Sequence, residues 1–211
     1  MSTGLDADFE DEFDLSWGNP HYTRFTWPAV DINTVLANHY RVDPPLRFTR
    51  TMLWDVEVRK AWRPDIYIPS VVREGSARSW PEQSYSRSEG LARISEQRRW
   101  LAPDMYSLVL ERARLDHDRQ VITFLGAAEM RGPEGGLITA EPLHQPLFHV
   151  EHSVGGTENR PLNRWRIVHL TDHPNERLVR VFERMATGSR LVEFVEIYIR
   201  RDLQHELVYL E

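Results

Sequence analysis

The sequence predicts a single α+β domain: a curved antiparallel sheet of about seven strands, packed on a C-terminal helix and preceded by an N-terminal arm. Three observations predict it. Apolar and polar residues alternate from Leu46 to Val58 and again in several runs after Leu91, which is the period of half-buried strands. The later runs are joined by short turn-forming stretches such as Ala102-Pro103-Asp104 and Gly132-Pro133-Glu134-Gly135-Gly136, too short for a parallel crossover. After Thr171 the spacing becomes helical, with Leu178, Val181, Phe182 and Met185 on one face.

The 211 residues, 41% hydrophobic and 27% charged, suffice for one buried core and are short for two. There is no cysteine, which excludes disulfides, iron–sulfur clusters and thiolate zinc sites. No apolar run approaches the roughly 18 residues of a membrane span. The N-terminus is acidic and lacks the basic start and apolar stretch of a secretory signal, so a cytoplasmic location is expected. Six of the 32 acids fall between Asp6 and Asp14, and the other 26 balance the 26 Lys plus Arg. The body is thus close to neutral, without the basic excess of a nucleic-acid binder. Residues 1–16 read as a disordered acidic leader, with docking of Phe9 and Phe13 on a partner as the competing reading. Lys60 is the only lysine.

Residues 17–45 form the arm, rich in turn signals, with a short helix from about Asp31 to Tyr40 placing Ile32, Val35, Leu36 and Tyr40 on one face. The main domain, 46–211, opens with the Leu46–Val58 alternation, read as a strand. Arg50 falls on its apolar face, where a guanidinium needs a partner or a ligand carboxylate unless the strand end lies at the sheet rim. From Lys60 to Pro81 the chain suits short helices interrupted by Pro64 and Pro69, and Glu82–Gly90 reads as a polar loop. Strands follow at Leu91–Leu101, Met105–Leu115, Val121–Met130, Leu137–Ala140, Leu147–Val154 and Trp165–Thr171. Asp172 is the expected N-cap of the next helix, with Pro174 in its first turn. Gly188 interrupts that helix. Leu191, Val192, Phe194, Val195, Tyr198 and Ile199 then fit a second helical face, with an edge strand as the competing assignment. If exposed, Phe194, Tyr198 and Ile199 would support a homodimer.

This order resembles the helix-grip superfamily, the START-like and polyketide cyclase-like group, over roughly Leu46 to Gln204. The resemblance is one of topology, with no diagnostic motif. The 45-residue leader and the Gly188 break depart from it, and a cone-shaped fold of the nuclear transport factor type is the competitor. The resemblance implies a cavity between sheet and terminal helix for a small, largely apolar molecule. Members include lipid carriers, hormone receptors, aromatase/cyclases and oxygenase domains, so fold does not select function.

The densest polar cluster is His149-Val150-Glu151-His152, followed by Trp165 to His173. On a strand, His149 and Glu151 point one way and Phe148, Val150 and His152 the other, while Trp165, Ile167 and His169 share a face. His152 and His169, aided by Glu151, therefore suit general acid–base catalysis on a carbonyl compound. Arg50, Trp54, Tyr85, Tyr106, His149 and Trp165 are the candidate substrate contacts. The spacing of His149 and His152 is not that of H-E-x-x-H, and no metal or cofactor is expected. Lys60, among Arg59, Trp62 and Arg63, reads as a surface-turn residue and not as a Schiff-base lysine. No phosphate-binding glycine loop or nucleophile elbow is present. The leading expectation is cyclase or dehydratase chemistry, lyase-type, on an apolar polyketide-like substrate. A non-catalytic carrier of an apolar ligand and a metal-dependent oxygenase are the alternatives. The expected partner is a small apolar molecule, with neither nucleic acid nor membrane.

Overall fold

The computed structural model describes residues 4–85, 88–140, 146–186 and 190–210. In chain order the elements begin with α1 (Gly4–Gly18), β1 (Thr23–Thr26), β2 (Val30–Asp31), α2 (Ile32–His39), β3 (Tyr40–Asp43), α3 (Arg50–Trp62) and α4 (Pro64–Tyr67). The strands β4 (Arg78–Tyr85), β5 (Ser88–Arg99), β6 (Ala102–Asp116), β7 (Val121–Ala127), β8 (Glu129–Arg131) and β9 (Leu137–Thr139) follow. Then come β10 (Phe148–Thr157), β11 (Arg160–His169), α5 (Glu176–Ala186), α6 (Glu193–Ile197), a π-helical turn at Tyr198–Asp202 and β12 (Glu206–Tyr209).

The main sheet has eight strands in the order β1-β11-β10-β7-β6-β5-β4, with β2 also pairing β11. Every pairing in it is antiparallel. The runs that form β5, β6, β7, β10 and β11 make an antiparallel meander, whereas β8 and β9 pair with each other in a separate two-stranded sheet. At the β10–β11 hairpin Gly156 adopts φ +77, where a Cβ would collide with the Arg160 carbonyl at 2.0 Å, so the turn requires glycine. Tertiary pairing changes the ends of the chain more than its middle. Residues 17–45 supply β1, which closes the sheet by returning to pair with its last strand, and β3, which pairs with β12. The stretch Arg78–Tyr85, read partly as a polar loop, is an edge strand, and its polar composition suits one exposed side.

Several sequence readings are overturned. The Leu46–Val58 alternation is not a strand: residues 50–62 are helix α3, and Thr49 Oγ1 caps it by accepting from Met52 N at 3.1 Å. Leu53, Val56, Glu57, Lys60 and Ala61 are its buried positions, at helical spacing. The helix is covered on two sides. Leu53 and Val56 join a core with α2, α6 and the π-turn, while Ala61 packs in a second core against the sheet. A helix buried on two sides shows no single apolar stripe, and chance alternation then mimics a strand.

The acidic leader is the second correction. Residues 4–18 form α1, which lies on the outer sheet face with Phe13 1% exposed against Leu125 and Val168. Glu10 pairs with Arg119 at 2.6 Å, and the Arg166 guanidinium lies 4.8 Å from the Phe13 ring centre. Two of the acids that suggested a solvated tail, Glu10 and Asp14, thus meet Arg119 and Arg166.

At the other end, α5 is capped by Asn175, whose Oδ1 accepts from Arg177 N and Leu178 N at 3.0 and 3.2 Å, and not by Asp172. Gly188 lies outside the described residues. Residues 193–202 are helical, which excludes the edge-strand assignment there, and Phe194, Tyr198 and Ile199 are core residues. No helix among the described residues is long and apolar enough to cross a membrane.

Phe13→Ala is expected to lower the unfolding free energy by about 3 kcal/mol, the usual cost of emptying a buried phenylalanine site. Leu15→Ala, at a side chain 76% exposed, is expected to be nearly neutral. Urea denaturation of both variants checks the docking of α1, and a neutral Phe13→Ala would contradict it.

Candidate active site

Helix α3 crosses the inner face of the sheet over β10 and β11, and its Glu57 and Lys60 turn toward the strands. On those strands His152 is paired in register with Trp165, and Val154 with Asn163, so all four side chains share the inner face. Lys60 Nζ forms an ion pair with Glu57 Oε2 and lies 2.8 Å from His152 Nδ1. His152 Nδ1 is also 3.0 Å from Glu57 Oε2, and Asn163 Nδ2 donates to Glu57 Oε1 at 2.7 Å. Aromatic rings enclose the group. Lys60 Nζ sits 3.8 Å from the Phe194 ring centre, and His152 stacks on Trp165 with centroids 5.1 Å apart. Side-chain exposure is 1% for Glu57 and 3% for Lys60 but 15% for His152, which makes the imidazole the open member.

The electrostatics follow from this enclosure. Burial alone would push the Glu57 carboxyl up, but the Lys60 cation and His152 more than reverse it and hold it below the usual carboxylate range. Burial lowers Lys60 to about 8, against the opposing pull of Glu57 and with the help of the Arg93 charge. Burial also lowers His152 to about 4, aided by the Lys60 and Arg93 cations and opposed by Glu57. At neutral pH the cluster therefore holds a carboxylate, an ammonium and a neutral imidazole.

A second buried pair backs the first. Arg93 Nε donates to Glu111 Oε2 at 2.8 Å, and Gln97 Nε2 donates to the same oxygen at 3.1 Å. Arg93 also donates through Nη1 to the Ala61 carbonyl at 3.0 Å, so a strand guanidinium satisfies the C-terminal end of α3. The inner sheet face thus anchors the helix that carries Glu57 and Lys60.

His169 is 0% exposed, between the rings of Phe148 and Phe182 at centroid distances of 5.5 and 5.3 Å. Among the described residues neither of its ring nitrogens has a hydrogen-bond partner, and the same holds for Trp165 Nε1. Burial lowers His169 to about 3, so its imidazole is neutral.

The predicted site residues scatter accordingly. His152 and His169 do share the inner face, but they lie on neighbouring strands four positions apart in register, at a spacing of about 3.3 Å per residue. They cannot act on one proton. Glu151 faces the outer side, where Arg166 donates to both its oxygens at 2.9 and 2.7 Å. His149 is buried beneath α1, accepting from Gly126 N at 3.1 Å, so it cannot share a ligand with His152. Arg50 opens α3, with its backbone N–H donating to the Glu158 carbonyl at 3.0 Å and a buried Nε without a hydrogen-bond partner among the described residues. Trp54 lies on α3 and donates to His117 Nδ1 at 3.2 Å. Tyr106 packs under Arg73, 4.5 Å from its ring centre, and Trp165 belongs to the cluster. Tyr85 ends β4, and its side chain lies outside the described residues. Sequence reasoning missed Glu57, Asn163 and above all Lys60, which is buried at the centre and not at a surface turn. The signal was present: in the helical register set by Thr49 and Leu53, Glu57 and Lys60 stand three apart on one face.

The chain is an α+β protein with a large antiparallel sheet, covered by α3 and α5 on the inner side and by α1 on the outer. No family model and no curated protein matches the sequence. Solved structures with a similar backbone include the ZhuI aromatase/cyclase from Streptomyces sp. R1128, at 12% identity over 85% of this chain and 96% of that one, with a TM-score of 0.47. Ara h 8.0201 is similar at 11% identity over 83% and 95%, with a TM-score of 0.43. The di-domain ARO/CYC StfQ from the steffimycin biosynthetic pathway is similar at 15% identity over 77% of this chain and 46% of that one, with a TM-score of 0.42. These are likenesses of backbone.

Two predictions follow from the cluster. Glu57→Gln strands the Lys60 ammonium, and a loss of about 3 kcal/mol is expected, while Glu57→Gln combined with Lys60→Met recovers most of it, because removing both charges removes the desolvation cost. Denaturant melts of the two variants check this.

His152 and His169 bind protons more readily when unfolded, at an ordinary value of 6.5, than when folded, at about 4 and about 3. The stability they contribute is fully present above about 6.5 and is lost as the pH falls through about 4 and about 3. His169→Phe is expected to flatten the stability profile between pH 6 and 4 by about 1 kcal/mol per pH unit, measured by urea denaturation across that range.

Proposed function

We propose that the protein binds a small, largely aromatic carbonyl compound against the inner sheet face and moves a proton at the carbon beside the carbonyl. Cyclisation and dehydration are the lyase-type reactions that begin this way. The observation that carries the reading is the Lys60–His152–Glu57 contact, a buried proton relay whose open end is an imidazole kept neutral at neutral pH. A neutral imidazole is a competent general base. Lys60 returns the proton, and Glu57 balances the charge that develops. Trp165 Nε1, unpartnered beside His152, is a donor for the substrate oxygen. Apolar substrate surface would lie on the aromatic wall that includes Phe124 and Trp165. His152 replaces the His152–His169 pair as the acid–base residue, and His169 packs in the aromatic core behind it.

A non-catalytic carrier is the second reading, favoured by the internal pairing that Glu57 and Lys60 already possess. The ketone 2-naphthylacetone separates the two. Saturable quenching of tryptophan fluorescence is expected, together with deuterium exchange at its methylene group in D2O, followed by NMR, above the buffer rate. His152→Ala is expected to slow that exchange about a hundredfold while leaving the quenching constant nearly unchanged. Quenching without exchange would favour the carrier, and absence of both would overturn the binding reading.

A further inference from the structure

We infer that Lys60 is a covalent catalytic residue whose Nζ forms an imine with the carbonyl carbon of the bound compound. This rests on the proposed carbonyl-binding site and deepens it: His152 stays the base and returns the proton, and Lys60 becomes the nucleophile. The chain uses arginine for every other cation outside its N-terminal amine, including Arg93, whose pairing with Glu111 on the same sheet face anchors α3. A guanidinium serves that role well, but it is not deprotonated in proteins and does not condense with carbonyls. At position 60 the inner face holds an amine instead, 2% exposed.

Its surroundings supply what condensation needs. The Nζ touches a carboxylate and a neutral imidazole nitrogen, Glu57 Oε2 and His152 Nδ1. The Phe194 and Trp165 rings keep it desolvated, with centroids at 3.8 and 5.4 Å, the environment in which a lysine amine becomes a nucleophile. A purely structural ion pair requires the carboxylate and not the imidazole.

The step balances without an outside reagent. The ammonium gives a proton to His152 Nδ1, and the neutral amine attacks the carbonyl carbon, forming the C–N bond as the C=O π pair moves to oxygen. That oxygen takes the proton back from His152. The new nitrogen then loses a proton to His152, the C–O bond breaks, and the proton leaves with the hydroxyl as water. What remains is a protonated imine with Glu57 as its counter-ion and a neutral His152. The cation draws electrons from the neighbouring carbon and makes its proton more acidic, the same proton the proposed function removes.

Borohydride trapping tests this directly. The full-length protein is incubated with 2-naphthylacetone, reduced with sodium borohydride, and mapped by peptide mass spectrometry. The expected result is an increase equal to the probe less one oxygen on the peptide containing Lys60, saturating over the same concentrations as the fluorescence quenching. It is absent in Lys60→Arg and forms about a hundredfold more slowly in His152→Ala. Because Lys60 is the only lysine, the N-terminal amine is the one competing site, and labelling confined to it would overturn the inference. Quenching and exchange with no adduct on Lys60 would also overturn it while leaving the proposed function standing. Loss of quenching and exchange together would remove both.

Discussion

The structure depends on one buried contact, the ion pair of Glu57 and Lys60 and its ties to His152 and Asn163. It joins the central helix to the two strands that follow it by about a hundred residues. Neither charge is tolerable alone at this depth, so helix, strand register and side-chain geometry must be right together. Such a contact contributes little net stability compared with apolar packing, yet it leaves one arrangement of α3 over the sheet in which every charge is matched. Arg93 enforces the same arrangement from the far side by meeting the carbonyls that end α3.

How much of this was legible depended on whether the deciding force was local. The meander from Leu91 to His169 was readable because period-two burial and short turns are local properties. The helix at 50–62 was not, because two separate cores cover it and erase the stripe that would betray a helix. The same error moved Lys60 to a supposed turn and hid it as a site residue. The docking of α1 depends on Arg119, Arg166, Leu125 and Val168, all more than a hundred residues distant, so its acids read as solvent-facing. For the histidines, the face assignment of His152 and His169 was available from alternation, whereas their separation required the register.

The inner sheet face is divided by chemistry. One region, around β5 and β6, is charged and hydrogen-bonded: Arg93, Glu111, Gln97 and Ser95 satisfy each other there. Another, at β1, β11 and α5, is aromatic, with Phe25, Trp27 and Phe182 in mutual contact around His169. The Glu57–Lys60–His152 cluster stands between the two. A compound with a flat apolar body and a polar end would be oriented by this gradient before any specific hydrogen bond formed, since each end finds its own solvent there.

The edge strand β4 has a bearing on how copies of the chain meet. Pro81, opposite Leu91 in its register, has no N–H to offer, and Arg78 and Glu82 place charge along the same short strand. A backbone row interrupted in this way is a poor template for another strand. The polar, proline-bearing composition that disguised β4 as the end of a helical stretch and the start of a loop therefore acts as a terminus for hydrogen bonding. Along this edge the sheet is finite by composition, and self-association has to proceed through side chains.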